Sequence, residues 1–288
     1  MLGIVGTIPD SRFPLVHGHA RMAEGQLWLA DQCISINRGT PALLASAVIA
    51  SQYLNGPEIY AFLAGDIGTG QGSRALYGFL TQHLHSFDLQ VLTFHYLQPD
   101  VDWHNKVLFA VDAMARRPLL IADAGFMYAA KMSGQASRYD FFTPDAGELA
   151  FLADEMAPHP FYTRGFILHA HNKVEELIHQ AYRHDNVATY LMVKGVIDYI
   201  VHQDQVVATV ASPSFPAMEA IGGTGDTLTG LLTGLCGSGF VPMEAAVLAA
   251  TANRLCGFFA HPTPATQVAE LIATIPQALQ SSLQNRST

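Results

Sequence analysis

Short apolar runs rich in β-forming residues alternate with segments of helical periodicity along most of this 288-residue chain, and that alternation constrains the fold more than any other property. Successive strands that pair in parallel must each return to the same end of the sheet, and a crossover helix is the usual route. The expected fold class is therefore α/β, in three layers α/β/α, with a mostly parallel central sheet. Half of the residues are hydrophobic and 14% are charged, enough apolar material to cover both faces of a large sheet. One compact unit over residues 1–288 is the expectation.

The elements follow from periodicity and punctuation. Residues 2–8 form an apolar stretch broken by Gly3 and Gly6 and stopped by Pro9, which reads as a first strand rather than a leader. Helices are expected over 41–54, with Pro41 in the first turn, and over 73–85, 102–116 and 146–155. Further helices are expected over 168–184, 227–236, 243–259 and 266–283. Strands are expected over 59–67, 89–97, 119–123, 141–143 and 190–196, and 197–210 reads as a hairpin turning at Gln203-Asp204. Residues 156–165, with their prolines and aromatics, read as an ordered surface loop.

Charge and cysteine usage narrow the partners. A formal net charge of −9 disfavours nucleic acid, which selects clustered Lys and Arg, but leaves room for a small anionic ligand held by helix ends and one lysine. No uninterrupted apolar run reaches the length of a membrane span. Cys33, Cys236 and Cys256 are widely spaced and form no CxxC pair, as expected for buried free thiols in a reducing, cytoplasmic setting. Homo-oligomerisation is expected on general grounds for an α/β chain of this kind, and a small molecule is the expected partner.

The chemistry concentrates in Ile221-Gly222-Gly223-Thr224-Gly225-Asp226-Thr227-Leu228-Thr229-Gly230, a glycine-rich turn running into a helix. Gly223, Thr224 and Gly225 bring free backbone N–H groups and the positive end of the helix dipole to an anion, with Asp226 beside it as candidate general base. The same residues also satisfy a plain helix cap. Thr143-Pro144-Asp145-Ala146-Gly147-Glu148 sets two carboxylates where a strand turns into a helix. Either they form a capping box, or Glu148 orders Mg²⁺ through water while Asp145 faces the substrate.

Lys194-Gly195 emerges from the buried run 190–193, either to hold a nucleotide or as a snorkelling surface lysine. Asp123 is a strand-end carboxylate that binds ligand or caps a helix. Gly65-Asp66-Ile67-Gly68-Thr69-Gly70-Gln71-Gly72-Ser73 misses the dinucleotide fingerprint, since Ser73 stands at the third glycine. Gly68 and Gly70 then belong to a second anion or substrate loop, or to a structural turn. Trp103-His104-Asn105-Lys106 is open between a substrate wall and surface. The pairs His17/His19, His83/His85 and His169/His171 lack metal-site spacing on a helix, HExxH is absent, and no GxSxG elbow supports a serine hydrolase.

In their order, Asp123-Ala124, Thr143-Pro144-Asp145-Ala146-Gly147-Glu148, Lys194-Gly195 and Gly222-Gly223-Thr224-Gly225-Asp226 resemble the ribokinase-like superfamily. Within it the pattern is most similar to the ATP- or ADP-dependent NAD(P)H-hydrate dehydratases, a carbohydrate-kinase-like family. The likeness extends over roughly residues 60–283 and is most specific after Lys194, through Leu228-Thr229-Gly230-Leu231-Leu232-Thr233-Gly234-Leu235 and Gly239-Phe240-Val241-Pro242.

The resemblance implies ATP or ADP with Mg²⁺, nucleotide contacts from Lys194 through Asp198 and from Gly225, and an Asp226 that takes the proton of a substrate hydroxyl. Three departures lie on the substrate side. Asp145 stands for the family's histidine, Gly65-Asp66-Ile67-Gly68-Thr69-Gly70 for its Gly-Pro-Gly-Leu-Gly loop, and Arg38-Gly39-Thr40-Pro41-Ala42-Leu43-Leu44-Ala45 matches its N-terminal Gly-Ala-Ala segment loosely. A small-molecule kinase is the alternative expectation, and a nucleotide sensor without turnover is the third.

Overall fold

The computed structural model describes residues 1–157 and 174–284, and its strands join in a single eleven-stranded sheet. In chain order the strands are β1 (Leu2–Ile8), β2 (Val16–Ala23), β3 (Gln26–Leu29), β4 (Gln32–Ile34), β5 (Ile59–Gly65), β6 (Val91–His95), β7 (Leu119–Ala122), β8 (Phe141–Phe142), β9 (Tyr190–Val193), β10 (Asp198–His202) and β11 (Gln205–Val210). They lie in the order β11-β10-β9-β8-β7-β6-β1-β5-β2-β3-β4. Pairing is parallel from β9 across to β5 and antiparallel at both ends, so the largely parallel centre expected from the alternation is present. β1 lies between β5 and β6 and every one of its residues is buried, as a central parallel strand requires.

The helices are α1 (Thr40–Tyr53), α2 (Gln71–His83), α3 (Val101–Asp112), α4 (Gly125–Met132), α5 (Ala146–Ala153), α6 (Val174–Arg183), α7 (Ala217–Ala220), α8 (Thr224–Gly237), α9 (Pro242–Ala260), α10 (Val268–Ile272) and α11 (Ile275–Gln284). Two apolar clusters divide them. Leu2 and Ile4 face α1, α8, α9, α10 and α11, whereas Val5 faces the opposite layer of α2 to α6. No helix among the described residues is long and apolar enough to cross a membrane.

Three differences from the sequence expectations have local causes. The antiparallel meander β2-β3-β4 escapes the α/β alternation; its signals are the inside-outside pattern of β2 and a two-residue turn in which Glu24 and Gly25 both have positive φ. On this strand His17 and His19 share a face, but they meet Tyr60 and Glu58 rather than a metal. The expected helix over 266–283 breaks at Ala273-Thr274, because Pro276 belongs in the first turn of a new helix. Cys33 is exposed on β4, while Cys236 and Cys256 are shielded and burial pushes each thiol up to about 12. The expected helix start at 168–173, most of the loop at 156–165 and the pair His169/His171 lie outside the described residues.

α8 carries the catalytic candidates and is fixed on two sides by its own sequence. Thr229 and Thr233, one turn apart, bond to Thr143 at 3.0 Å and Thr93 at 2.8 Å and tie the helix to the sheet. Gly230 and Gly234, also one turn apart, let α1 approach: a Cβ on Gly230 would lie 2.2 Å from the Leu43 carbonyl oxygen, and one on Gly234 2.9 Å from Ala50 Cβ. Gly230→Ala is therefore expected to destabilise by ~1–3 kcal/mol, because backbone rather than a flexible side chain must yield. Chemical unfolding of the variant beside wild type measures it.

Candidate active site

Parallel strands deliver their next residues to one edge of the sheet. Here Asp66 follows β5, His95 ends β6, Asp123 follows β7, Asp145 lies just beyond β8 and Lys194 follows β9. A cavity of about 1390 Å³ opens over this edge, bordered by Asp66, Asp123, Asp145 and Lys194 and by the glycine turn before α8.

Asp226 lines that cavity in the first turn of α8 and is 8% exposed. His95 Nε2 lies 2.9 Å from its Oδ1, and the Gly39 N–H donates to its Oδ2 at 2.7 Å. With the carboxylate ionised, Nε2 is the donor, and in the neutral ring Nδ1 accepts the Thr40 hydroxyl 3.0 Å away. Burial alone would raise the Asp226 carboxyl, but His95, Lys194 and the Gly39 N–H outweigh it and hold it down at about 2.

The folded value lies below the ordinary 3.8, so this carboxylate stabilises the fold fully above the ordinary range and that contribution is lost as pH falls through about 2. His95→Phe removes the principal donor. The variant is expected to show a shallower loss of stability between pH 3.8 and 2 than wild type, measured by urea unfolding at stepped pH.

Asp123 is turned inward. Lys194 Nζ donates to both its oxygens at 2.9 Å, Thr229 Oγ1 to Oδ2 at 2.6 Å and the Ala124 N–H to Oδ1 at 2.8 Å. It therefore pairs with Lys194 and accepts the Ala124 N–H ahead of α4, while it also borders the cavity. Burial opposes the Lys194 charge, yet Asp123 and Glu148 raise its pKa, so the ammonium is permanent rather than a snorkelling surface group.

Gly223 has φ 106° and caps α8, leaving the N–H groups of Thr224, Gly225 and Asp226 without intrahelical acceptors. The turn is held from behind: Asn253 Nδ2 donates to the Thr224 carbonyl at 3.1 Å, and Thr227 Oγ1 donates to Asn253 Oδ1 at 2.6 Å. Asp198 is buried. It accepts from the Gly195 N–H at 3.1 Å and from Arg254 Nε at 2.8 Å, while Arg254 donates to the Gly195 and Val196 carbonyls at 2.9 Å. Asp198 thus shapes the loop after Lys194, and exposed Val196 on that loop borders the cavity.

Asp145 and Glu148 form the capping box of α5, each side chain accepting the other's backbone N–H, at 2.8 and 2.9 Å. Both also border the cavity. Burial pushes Glu148 up, and Asp145 and Asp123 add to this against the opposing pull of Lys194. Asp145, Glu148 and Asp123 thus gather around the single ammonium of Lys194.

The Gly68-Gly70 loop is already filled. Asp66 accepts from the N–H groups of Gly68, Gly70 and Ser73 at 3.0 Å and from the Ser73 hydroxyl at 2.9 Å, which uses the donors a second anion site would need. Of the two expectations, these bonds are those of a structural turn around an internal carboxylate, while Gly68 borders the cavity and Gly70 does not. Trp103 stacks on Tyr77, His104 bonds Tyr139, and none of residues 103–106 borders the cavity. His95, Asp123 and Asp226 offer atoms within 4.8 Å of one another; His95 Nε2 bonds Asp226 Oδ1, and Lys194 and Thr229 donate to Asp123 Oδ2.

Sequence reasoning missed His95, Asn253 and Arg254, and met Gly39 and Thr40 only within a loose match to the family's N-terminal segment. His95 was within reach, since it ends an apolar strand as Asp123 follows one.

A carboxylate at a glycine turn over the carboxyl edge of a sheet covered by helices on both faces describes a ribokinase-like protein. The computed structure accords with this: it resembles the ADP/ATP-dependent NAD(P)H-hydrate dehydratase of Bacillus subtilis, crystallised with ATP and Mg²⁺, with TM-score 0.58 and 16% identity over 98% of this chain and 89% of that one. The NAD(P)H-hydrate dehydratase family model matches residues 99–277, and the chain belongs to that family. An uncharacterised protein of Methanocaldococcus jannaschii is 37% identical over 242 residues, 84% of this chain and all of that protein. The hydroxyethylthiazole kinase of Enterococcus faecalis is 38% identical over 87 residues, 29% of this chain and 31% of the kinase.

Proposed function

We propose that this protein is an ATP- or ADP-dependent NAD(P)H-hydrate dehydratase. The observation that carries the reading is Asp226 itself: an ionised carboxylate fixed by His95 and Gly39, beside the free N–H groups of α8 and open to the cavity. Such an arrangement deprotonates a hydroxyl while the adjacent N–H groups and Lys194 take up charge developing on a phosphoryl group. A carboxylate held near 2 is a weak base, so proton transfer lags behind bond formation to phosphorus and completes as the hydroxyl becomes acidic. On a hydrated nicotinamide ring the phosphorylated oxygen then leaves as phosphate with the C–O electron pair, the neighbouring ring carbon gives up a proton to solvent, and the ring double bond forms again.

Gly223, Thr224 and Gly225 form the anion hole, and Lys194 and Gly195 form the nucleotide side, with Asp198 shaping that loop. Asp145 and Gly68 face the substrate side. The fit of a divalent cation is met by Glu148 and Asp145, which would hold Mg²⁺ through water, where it neutralises phosphate charge. Small-molecule kinase activity is the second reading. Asp145 in place of the family's histidine favours it, as does the stretch shared with hydroxyethylthiazole kinase. The test is an assay of purified protein with hydrated NADH, ATP or ADP and Mg²⁺, following NADH absorbance. Recovery of NADH supports the dehydratase; nucleotide binding without recovery rejects it and directs a phosphoryl-acceptor screen.

A further inference from the structure

The cations bordering the cavity are not equivalent. Lys194 is paired with Asp123 and Arg254 with Asp198, whereas Arg38 forms no ion pair with a carboxylate among the described residues. Arg38 sits in the loop before α1, one residue ahead of the Gly39 N–H that holds Asp226. Its side chain runs along the glycine turn: a Cβ on Gly222 would meet Arg38 Cβ, Cδ and Nε at 3.8 Å, and one on Gly223 would meet Arg38 Cα at 3.2 Å. On the other side of the same turn, a Cβ on Gly225 would meet Lys194 Nζ at 3.6 Å. Two cations thus flank the free N–H groups of α8, and only one of them is already neutralised.

We propose that Arg38 binds the terminal phosphate of the nucleotide, opposite Lys194, and closes a two-cation clamp around the phosphoryl group as it is transferred. This rests on the nucleotide-dependent reading of the site. A guanidinium presents a planar fork of donors that matches two phosphate oxygens, which a second ammonium does not. Tyr96 gives Arg38 its other neighbour. Its ring stands edge-on to His95 with centroids 4.2 Å apart. Burial raises the Tyr96 phenol, Asp226 and Asp123 add to this, and the adjacent Arg38 guanidinium draws it down. Arg38 therefore lies between the glycine turn and Tyr96, both of which border the cavity.

The experiment compares wild type, Arg38→Met and Arg38→Lys by calorimetric titration with ADP and with the non-hydrolysable ATP analogue AMP-PCP, both with Mg²⁺. Arg38→Met is expected to weaken AMP-PCP about tenfold or more while ADP changes little, and Arg38→Lys to recover part of the loss. An unchanged ratio of the two affinities in both variants overturns the proposal, and so does an equal loss for both nucleotides. If Arg38→Met does not fold, Arg38→Lys decides alone: it must weaken AMP-PCP more than ADP. Wild type that binds neither nucleotide overturns the nucleotide reading together with this inference, whereas intact binding without discrimination overturns the clamp alone.

Discussion

Asp226→Asn is expected to fold, to bind nucleotide, and to turn over ~10²–10⁴-fold more slowly than wild type, the range associated with loss of a general base. The amide keeps the shape but not the chemistry. One of the two donors now facing the side chain, His95 Nε2–H or the Gly39 N–H, would meet an NH₂ instead of an oxygen. The ring can answer by moving its proton to Nδ1, which reverses the bond to Thr40 and leaves the fold intact. Steady-state kinetics with binding measured in parallel checks this. Unaltered turnover would remove Asp226 from the base role, whereas lost turnover with binding retained rules out a sensor that never performs chemistry.

The second large effect falls on stability. Lys194→Met leaves the Asp123 carboxylate, 2% exposed, without its ammonium, and breaking a buried pair in this way costs ~3–5 kcal/mol. The further substitution Asp123→Asn removes the stranded charge, so the double variant is expected to regain a substantial part of the loss. Urea unfolding of the four proteins closes the cycle. A double variant as unstable as the sum of the singles would show that Lys194 and Asp123 do not depend on each other.

Much of this architecture was legible because the parallel strands carry local signatures. Residues 59–67, 119–123 and 190–196 read as buried strands, and each strand is followed by the polar residue that its carboxyl end brings to the cavity. The hairpin at Gln203-Asp204 was legible for the same reason: both residues take positive φ in a two-residue turn between antiparallel strands. The meander over 16–34 was not, since half-exposed antiparallel strands resemble polar loops when read against an α/β pattern. The break at Ala273-Thr274 was equally hidden, because the apolar periodicity continues across it and only Pro276 marks the restart.

Within the site, the residue types were legible and their duties were not. Asp226, Lys194 and Glu148 could be picked out one by one. That Asp123 belongs to Lys194, Asp198 to Arg254 and Asp66 to its own glycine loop depends on contacts between residues as far as 71 positions apart. His95 ends an apolar strand and was visible as such, but its duty was not, because its partners, Thr40 and Asp226, lie 55 and 131 positions away.

The bond from Thr40 to His95 has a consequence for descent. A Cβ on Gly6 would lie 2.5 Å from Thr40 Oγ1 and 2.7 Å from the His95 carbonyl oxygen, so even the bareness of β1 belongs to the arrangement that ends at the base. Glycine 6, threonine 40, histidine 95 and aspartate 226 form one heritable character spread over four segments. The worth of a substitution at any one of the four therefore depends on which residues stand at the other three.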